Sequence, residues 1–321
     1  MKKNLGTLFL AIAGSFTAVA AQAQADFPNK PVRIIVPFAP GGSADNSARI
    51  LADQLTKRWK QSVIIENKPG ANGALGAAQV AKSAADGYTI YYAPVSIGTI
   101  NLFIKKPGFD VKKDLVPVTQ VARGDYVLNV QKDLPVNTIG EFASYARANP
   151  TKVFHGYFGG ASLLAFEQLA EKQNFPVTNV AYRGEALALT ALIGGEIQAM
   201  FSTLSSARPF IEAGKIKALG VLSKTRSPIA PEIKSAEESG IKGFDVNFWF
   251  GLMVPTGTPA STIHTINAAV NEELSNEEVK GRFYTMGLTA AATTPAEFGK
   301  IVQYESERWV ETAKRIGLEP Q

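Results

Sequence analysis

Short β-branched runs punctuate the chain, with stretches between them that place apolar residues three and four positions apart. Residues 32–38 (Val-Arg-Ile-Ile-Val-Pro-Phe) read as a buried strand. Ala39-Pro40-Gly41-Gly42 turns the chain, and Ser43, Asp45, Asn46 and Ser47 are N-cap candidates. The helix that follows runs to about Trp59, with Ala48, Leu51, Ala52 and Leu55 as its apolar positions. A strand at 62–65, a turn at 68–73, a small-residue helix to about 84 and a strand at 88–92 come next. A second series places strands at 126–130, 153–156, 179–182, 197–201 and 218–222, with helices at 139–148, 162–172, 185–193 and 207–213. A strand at 248–255 and helices at 260–274, 277–286 and 295–316 end the pattern.

Strands separated by helices of this length imply βαβ units, parallel sheets and right-handed crossovers. The expected fold class is α/β, with two doubly wound lobes and a ligand cleft between them. Weak places near Arg123-Gly124-Asp125 and at 240–245 divide the chain. Lobe 1 is expected to comprise 26–124 plus 246–321, and lobe 2 to comprise 125–245. If the terminal segment packs back on the first lobe, two crossings join the lobes and permit closure over a ligand.

The first 25 residues carry a different signal. Lys2 and Lys3 precede an apolar, small-residue run from Leu5 to about Ala21, and Ala23-Gln24-Ala25 is a small-x-small cleavage site. Residues 1–25 therefore read as a secretory signal peptide cleaved after Ala25, which predicts a periplasmic protein. No cysteine stands at the cleavage point to take a lipid, and no later segment has about 18 consecutive apolar residues. At 321 residues and 45% hydrophobic content, the chain has ample material for two packed domains. The net charge of +5 includes both signal lysines, leaving 31 basic against 28 acidic residues. That surplus is too mild to point to nucleic acid.

Familiar catalytic constellations are missing from the sequence. With no cysteine, disulfides and thiol chemistry are excluded. The two histidines, His155 and His264, are isolated and give no metal-site spacing. His264 reads as an ordinary position on a helix. His155 ends a strand near the expected cleft and is a minor candidate for ligand contact. Gly41-Gly42-Ser43-Ala44-Asp45 lacks the closing glycine of a nucleophile elbow, and Gly70, Gly73 and Gly76 do not have dinucleotide-fingerprint spacing. The expectation is a binding protein without cofactor or metal, and not an enzyme.

The informative chemistry lies in loops that lead from strands into helices. Phe38 to Asp45 is the first, where free helix amides, close-approaching glycines and the Ser43 hydroxyl suit a carboxylate or phosphate. The same residues also serve as an ordinary capped turn. Tyr157-Phe158-Gly159-Gly160-Ala161-Ser162 and Tyr182-Arg183-Gly184-Glu185 repeat the arrangement in the second series. In open α/β sheets ligands bind beyond the carboxyl ends of strands, so these loops are expected to line the cleft. Arg183 either pairs with a carboxylate or stays solvated.

At these loops the chain resembles the Bug substrate-binding proteins (TctC-like), the extracytoplasmic receptors of tripartite tricarboxylate transporters. The resemblance rests on Phe27-Pro28-Asn29-Lys30-Pro31-Val32-Arg33, Pro40-Gly41-Gly42-Ser43-Ala44-Asp45 with Arg49, Glu66-Asn67-Lys68-Pro69-Gly70-Ala71 and Asp86-Gly87-Tyr88-Thr89. It continues through Ala181-Tyr182-Arg183-Gly184, Gly194-Gly195-Glu196, Gly214 to Leu219, Trp249-Phe250-Gly251-Leu252 and Pro255 to Pro259. It implies a Venus-flytrap receptor that takes a small carboxylate to membrane transporter subunits and works as a monomer. The ligand candidates it implies are Phe38, Gly41, Gly42, Ser43 and Asp45 in the first lobe. Gly159, Gly160, Ala161, Ser162, Tyr182, Gly184 and Glu185 are those of the second, and Ser96 and Thr99 follow the third strand.

Three departures from the pattern the resemblance implies stand out. The second-lobe loop is poorer in hydroxyls at Gly160 and Ala161, with Leu163 where a histidine is common. Glu185 replaces a usual glycine, and Gln198 a usual aspartate. If Glu185 faces the cleft, the ligand carries an amino or other donor group, or is partly apolar. Otherwise Glu185 is an exposed first-turn acid. A sensory co-receptor for a membrane signalling protein and a periplasmic enzyme on the same fold are the alternative functions. Trp249 is expected near a crossing segment, as a reporter of closure or as core.

Overall fold

The computed structural model describes residues 27–318. The signal peptide expected at 1–25 lies outside the described residues. The chain builds, in order, β1 (Val32–Val36), α1 (Ser43–Trp59), β2 (Val63–Asn67), α2 (Ala74–Ala81), β3 (Thr89–Pro94), α3 (Ile100–Phe103), α4 (Val111–Asp114) and β4 (Leu115–Gln131). Next come α5 (Ile139–Ala148), β5 (Phe154–Tyr157), α6 (Gly160–Gln173), β6 (Thr178–Ala181), α7 (Glu185–Gly194), β7 (Ala199–Thr203), α8 (Leu204–Glu212) and β8 (Ile216–Val221). The last elements are β9 (Asn247–Pro255), α9 (Ala260–Ser275), α10 (Glu277–Thr285), β10 (Thr289–Ala290) and α11 (Pro295–Arg315). Short 3₁₀ turns occupy Ala71–Gly73 and Val95–Thr99.

Strand order is β2-β1-β3-β9-β4-β7-β5-β6, with β8 and β10 also on β4. The lobes meet in β4. Its residues 115–125 pair with β9, and its residues 126–131 with β7 and β8. The parallel pairing expected from the βαβ pattern is present in each half, but antiparallel strands join it. β1, β2 and β3 are parallel, as are β5, β6 and β7. However, β9 lies antiparallel between β3 and β4, and β7 and β8 run antiparallel to β4. Side-chain periodicity is the same for either direction, so the pattern of apolar residues cannot distinguish them.

Arg123-Gly124-Asp125, expected as a weak place, lies inside the unbroken β4. The first half of this strand escapes sequence reading because Pro117 and the polar Thr119 and Gln120 interrupt its apolar run. Register shifts between Pro117 and Thr119, and between Gln120 and Ala122, accommodate the irregularity.

Apolar faces predicted from the pattern form the core. Ile34, Ile35 and Val36 of β1, Tyr91 and Tyr92 of β3, and Ala48, Leu51 and Leu55 of α1 have no exposed surface. The C-terminal helices return to the first lobe, with α9 against β4 and α1, and α11 against β4 and the Val95–Thr99 turn. Trp249 is 5% exposed, with its ring edge-on to Phe298 at 5.1 Å, so it is core. Among the described residues no helix is long and apolar enough to cross a membrane.

Candidate functional site

Four helices begin at one place. The N-cap residues are Gly42 for α1, Gly159 for α6, Gly184 for α7 and Thr203 for α8. The first amides of a helix have no intrahelical acceptor, so each start brings free donors and partial positive charge. Between them lies a cavity walled by Phe38, Gly42, Ser43 and Ala44 on one side and by Phe158, Gly159, Ala161 and Ser162 on the other. Ser96 enters from the turn after β3, and Glu185 and Thr203 from the second lobe. Tyr126 of β4 and Phe248 and Phe250 of β9 add an aromatic wall, with Tyr126 and Phe248 rings 5.1 Å apart. Across the cleft, Phe38 meets Phe158 edge-on at 6.1 Å.

The cavity is nearly shut, with about 20 Å³ available to the centre of a water molecule. That is room for a water or two, and for no organic acid. A groove of about 820 Å³ by the same measure lies elsewhere, between α11 and the segment after β3. It is open, and charged side chains such as Lys112, Glu307, Glu311 and Lys314 line it. The small cavity is the better candidate because helix starts and buried hydroxyls converge there.

Glu185 is the centre of this arrangement. It is 4% exposed, which corrects the reading of it as a solvated first-turn acid. Its Oε1 accepts hydrogen bonds from Thr203 N at 2.5 Å and Thr203 Oγ1 at 2.7 Å. Its Oε2 accepts from Ser206 Oγ at 2.8 Å, Ser43 Oγ at 3.2 Å and Ser43 N at 3.4 Å. Ser43 belongs to α1 of the first lobe, while Thr203 and Ser206 belong to the start of α8 in the second. Burial pushes the Glu185 carboxyl above its ordinary value, against the hydrogen bonds that favour its ionised form. Close by, Ala39 N donates to Arg183 O across the cleft at 3.3 Å.

Asp45 has a different setting. Its carboxylate accepts from Gly41 N, from Asn67 Nδ2 and, at two positions, from the Arg49 guanidinium, all within 3.0 Å. Burial would raise this carboxyl, but the bonds from Arg49, Asn67 and Gly41 outweigh it and hold the group below its ordinary value. These partners all belong to the first lobe, so Asp45 fixes the shape of the first loop.

Of the residues predicted from sequence, Phe38, Gly42, Ser43, Ser96, Gly159, Ala161, Ser162 and Glu185 line the cavity. Gly41, Asp45, Thr99, Gly160, Tyr182 and Gly184 do not. Thr99 Oγ1 donates to Ser96 O at 2.7 Å and supports the turn. A Cβ on Gly160 would run into Phe103 and Thr99 Oγ1, so this glycine permits a close packing of α6. Gly184 lets its loop lie against the backbone of Ala39. Tyr182 borders a separate depression at the mouth, beside Phe38 and Arg183. The Arg183 side chain is exposed.

Sequence reading did not name Tyr126, Thr203, Phe248 or Phe250 for the site. Thr203 had a visible signal, as a hydroxyl residue ahead of a helix. The minor candidate His155 is fully buried, stacks on Phe166 at 3.7 Å and bonds Asn179 Oδ1 through Nδ1 at 2.7 Å. Burial pushes its pKa down to about 3, so the ring is neutral and belongs to the core. His264 is exposed on α9. Among the described residues no group of three or more His, Asp or Glu is placed to hold a metal ion.

Comparison with known proteins agrees with this geometry. The profile of the family described as "Tripartite tricarboxylate transporter family receptor" matches residues 47–318. Protein BugT of Bordetella pertussis (strain Tohama I) is 32% identical over 321 residues, covering 97% of this chain and 98% of BugT. The solved structure of R. palustris Rpa4515 with adipate has a TM-score of 0.90 at 31% identity, covering 92% of this chain and 100% of that one. MatC (Rpa3494) from Rhodopseudomonas palustris with bound malate has a TM-score of 0.85 at 30% identity, covering 89% and 99%. The fold is that of the periplasmic binding protein BugD (TM-score 0.87 at 31% identity, covering 92% of this chain and 100% of that one), and the chain belongs to the tripartite tricarboxylate transporter receptor family, a family of receptors and not of enzymes.

Proposed function

We propose that this protein is a periplasmic solute receptor that binds a small carboxylate between its lobes and delivers it to the membrane subunits of a tripartite tricarboxylate-type transporter. One observation carries the reading. The cavity gathers helix starts from both lobes around Ser96, whose hydroxyl is buried and has no hydrogen-bond partner. Such a site favours an anion that supplies acceptors to both sides. The relatives Rpa4515 and MatC, with adipate and malate, point to the same ligand chemistry.

The lobes are taken as 26–124 plus 246–321 and 125–245, with a secretory signal ahead of them. The ligand contacts are assigned to Ser96, the loop 159–162 and the aromatic wall. The lobes open to admit the ligand and close to expel water, which strengthens the remaining hydrogen bonds. The closed surface is then what the monomeric receptor presents to the transporter.

A thermal-shift screen of the mature protein against di- and tricarboxylates, acidic amino acids, aromatic acids and simple monocarboxylates tests this. A ligand at about a hundred times its dissociation constant stabilises by about 2.7 kcal/mol. At about 2–4 °C per kcal/mol the shift is several degrees. A shift with one class of acid, unchanged on prolonged incubation, is expected. Flat midpoints with every acid, after unfolding and refolding to strip bound solute, would reject a carboxylate receptor.

A further inference from the structure

The Glu185 carboxylate sits where a bound anion belongs. Its five donors come from the starts of two helices, α1 and α8, on opposite sides of the cleft. All five are neutral hydroxyl or amide groups, as in a site built for a carboxylate that arrives and leaves. Here the carboxylate is part of the chain.

We propose that Glu185 is a built-in replacement for one ligand carboxylate, so that the cargo of this receptor is a monocarboxylate with an apolar body. The inference rests on the carboxylate reading above and narrows it. A carboxylate has about four lone-pair positions. Five donors exhaust them, so Glu185 has no capacity left to receive an ammonium or hydroxyl from a ligand. That disfavours a cargo with a donor group and favours a partly apolar one. A second ligand carboxylate beside Glu185 would also set two like charges in a nearly dry cavity, where repulsion is strong.

A different subsite remains for a single acid group. Ser96 Oγ is buried in the same wall without a partner. Gly159, the N-cap of α6, supplies no side-chain cap, so the first amides of α6 stay available. Beyond them the cavity offers the rings of Phe38, Phe158, Tyr126, Phe248 and Phe250. Once the lobes part, those rings suit a hydrocarbon or aromatic body.

The test compares hexanoate with hexanedioate, which differ by one carboxylate on the same carbon chain, alongside benzoate. Calorimetry on the wild-type mature protein should show the monocarboxylates binding more tightly than hexanedioate by a factor on the order of ten or more. In Glu185→Ala the preference should reverse. Formate or acetate, at concentrations that leave the wild type unmoved, should restore part of the variant's lost thermal stability, and chloride at equal ionic strength should not. Glu185→Gln still fills the subsite, and formate should not rescue it. Tighter binding of hexanedioate by the wild type overturns the inference and leaves the carboxylate receptor standing. Equal rescue by chloride, or rescue of Glu185→Gln, also overturns it. Failure of any acid to bind either protein overturns the receptor reading itself. If Glu185→Ala does not fold, the wild-type comparison decides alone.

Discussion

Asp45 and Glu185 each lie in the first turn of a helix at the end of a strand loop, both are nearly fully buried, and the structure uses them in opposite ways. Asp45 is held inside one lobe by a guanidinium, an amide side chain and a backbone amide. Glu185 ties one lobe to the other through neutral donors alone. The first carboxyl is lowered below its ordinary value and the second raised above it. A carboxylate paired with a cation in its own lobe is scaffold, whatever the cleft does. One held by uncharged groups across a cleft loses partners whenever the cleft opens.

The largest expected effects come from replacing the two buried carboxyls. Asp45→Asn and Glu185→Gln each leave buried donors poorly matched, at a cost of about 1–3 kcal/mol. Their pH dependence should differ in sign. The folded pKa of Asp45 lies below 3.8, so its contribution is complete above that value and fades as pH falls through the folded pKa. The gap in thermal midpoint between wild type and Asp45→Asn should narrow on acidification. The folded pKa of Glu185 lies above 4.5, so its contribution is complete below 4.5 and is lost as pH rises through the folded pKa. Its gap should widen on acidification. Parallel slopes in thermal melts from acid to neutral pH would break the contrast.

Gly160→Ala sharpens it at an intermediate level. The added methyl meets Phe103 and Thr99 Oγ1, so α6 must shift away from the turn after β3. Overpacking of this kind costs about 1–3 kcal/mol. Because no charge is involved, the loss of midpoint should be the same at every pH. The smallest effect belongs to Arg315, whose Nε lies 3.1 Å from Glu171 Oε2 between α11 and α6, with both side chains about half exposed. Arg315→Ala should cost about 0–1 kcal/mol and nothing in high salt. A loss as large as that of Glu185→Gln would mean that bridging the lobes matters more than burial.

Much of this was legible in the sequence, and the limits are physical. Turn chemistry and the short strand runs placed the loops of α1, α6 and α7, because their glycines and the alternation of strand and helix are local signals. The fourth helix start at the cleft, that of α8 at Thr203, was missed because Ile197 to Phe201 reads as a strand that ends too early. Glu185 could be singled out but not oriented. Its donors lie 142, 18 and 21 positions away, and no local pattern reports such distances. The aromatic wall was hidden for the same reason, since Tyr126 and Phe248 become neighbours only through β4–β9 pairing.

β4 passes from one sheet into the other as one strand of 17 residues. At about 3.3 Å per residue it spans on the order of 55 Å. Beside it the other crossing stays tied to the second lobe, where Val246 N donates to Leu222 O at 2.9 Å just before β9 begins. On the proposed opening, parting the lobes would flex a hydrogen-bonded ribbon and would not swing slack chain. A slack tether offers no resistance until it is taut, whereas a ribbon pushes back from the first degree. On the proposed opening, the two halves would be jaws on a leaf spring, with a resistance that grows with the gape.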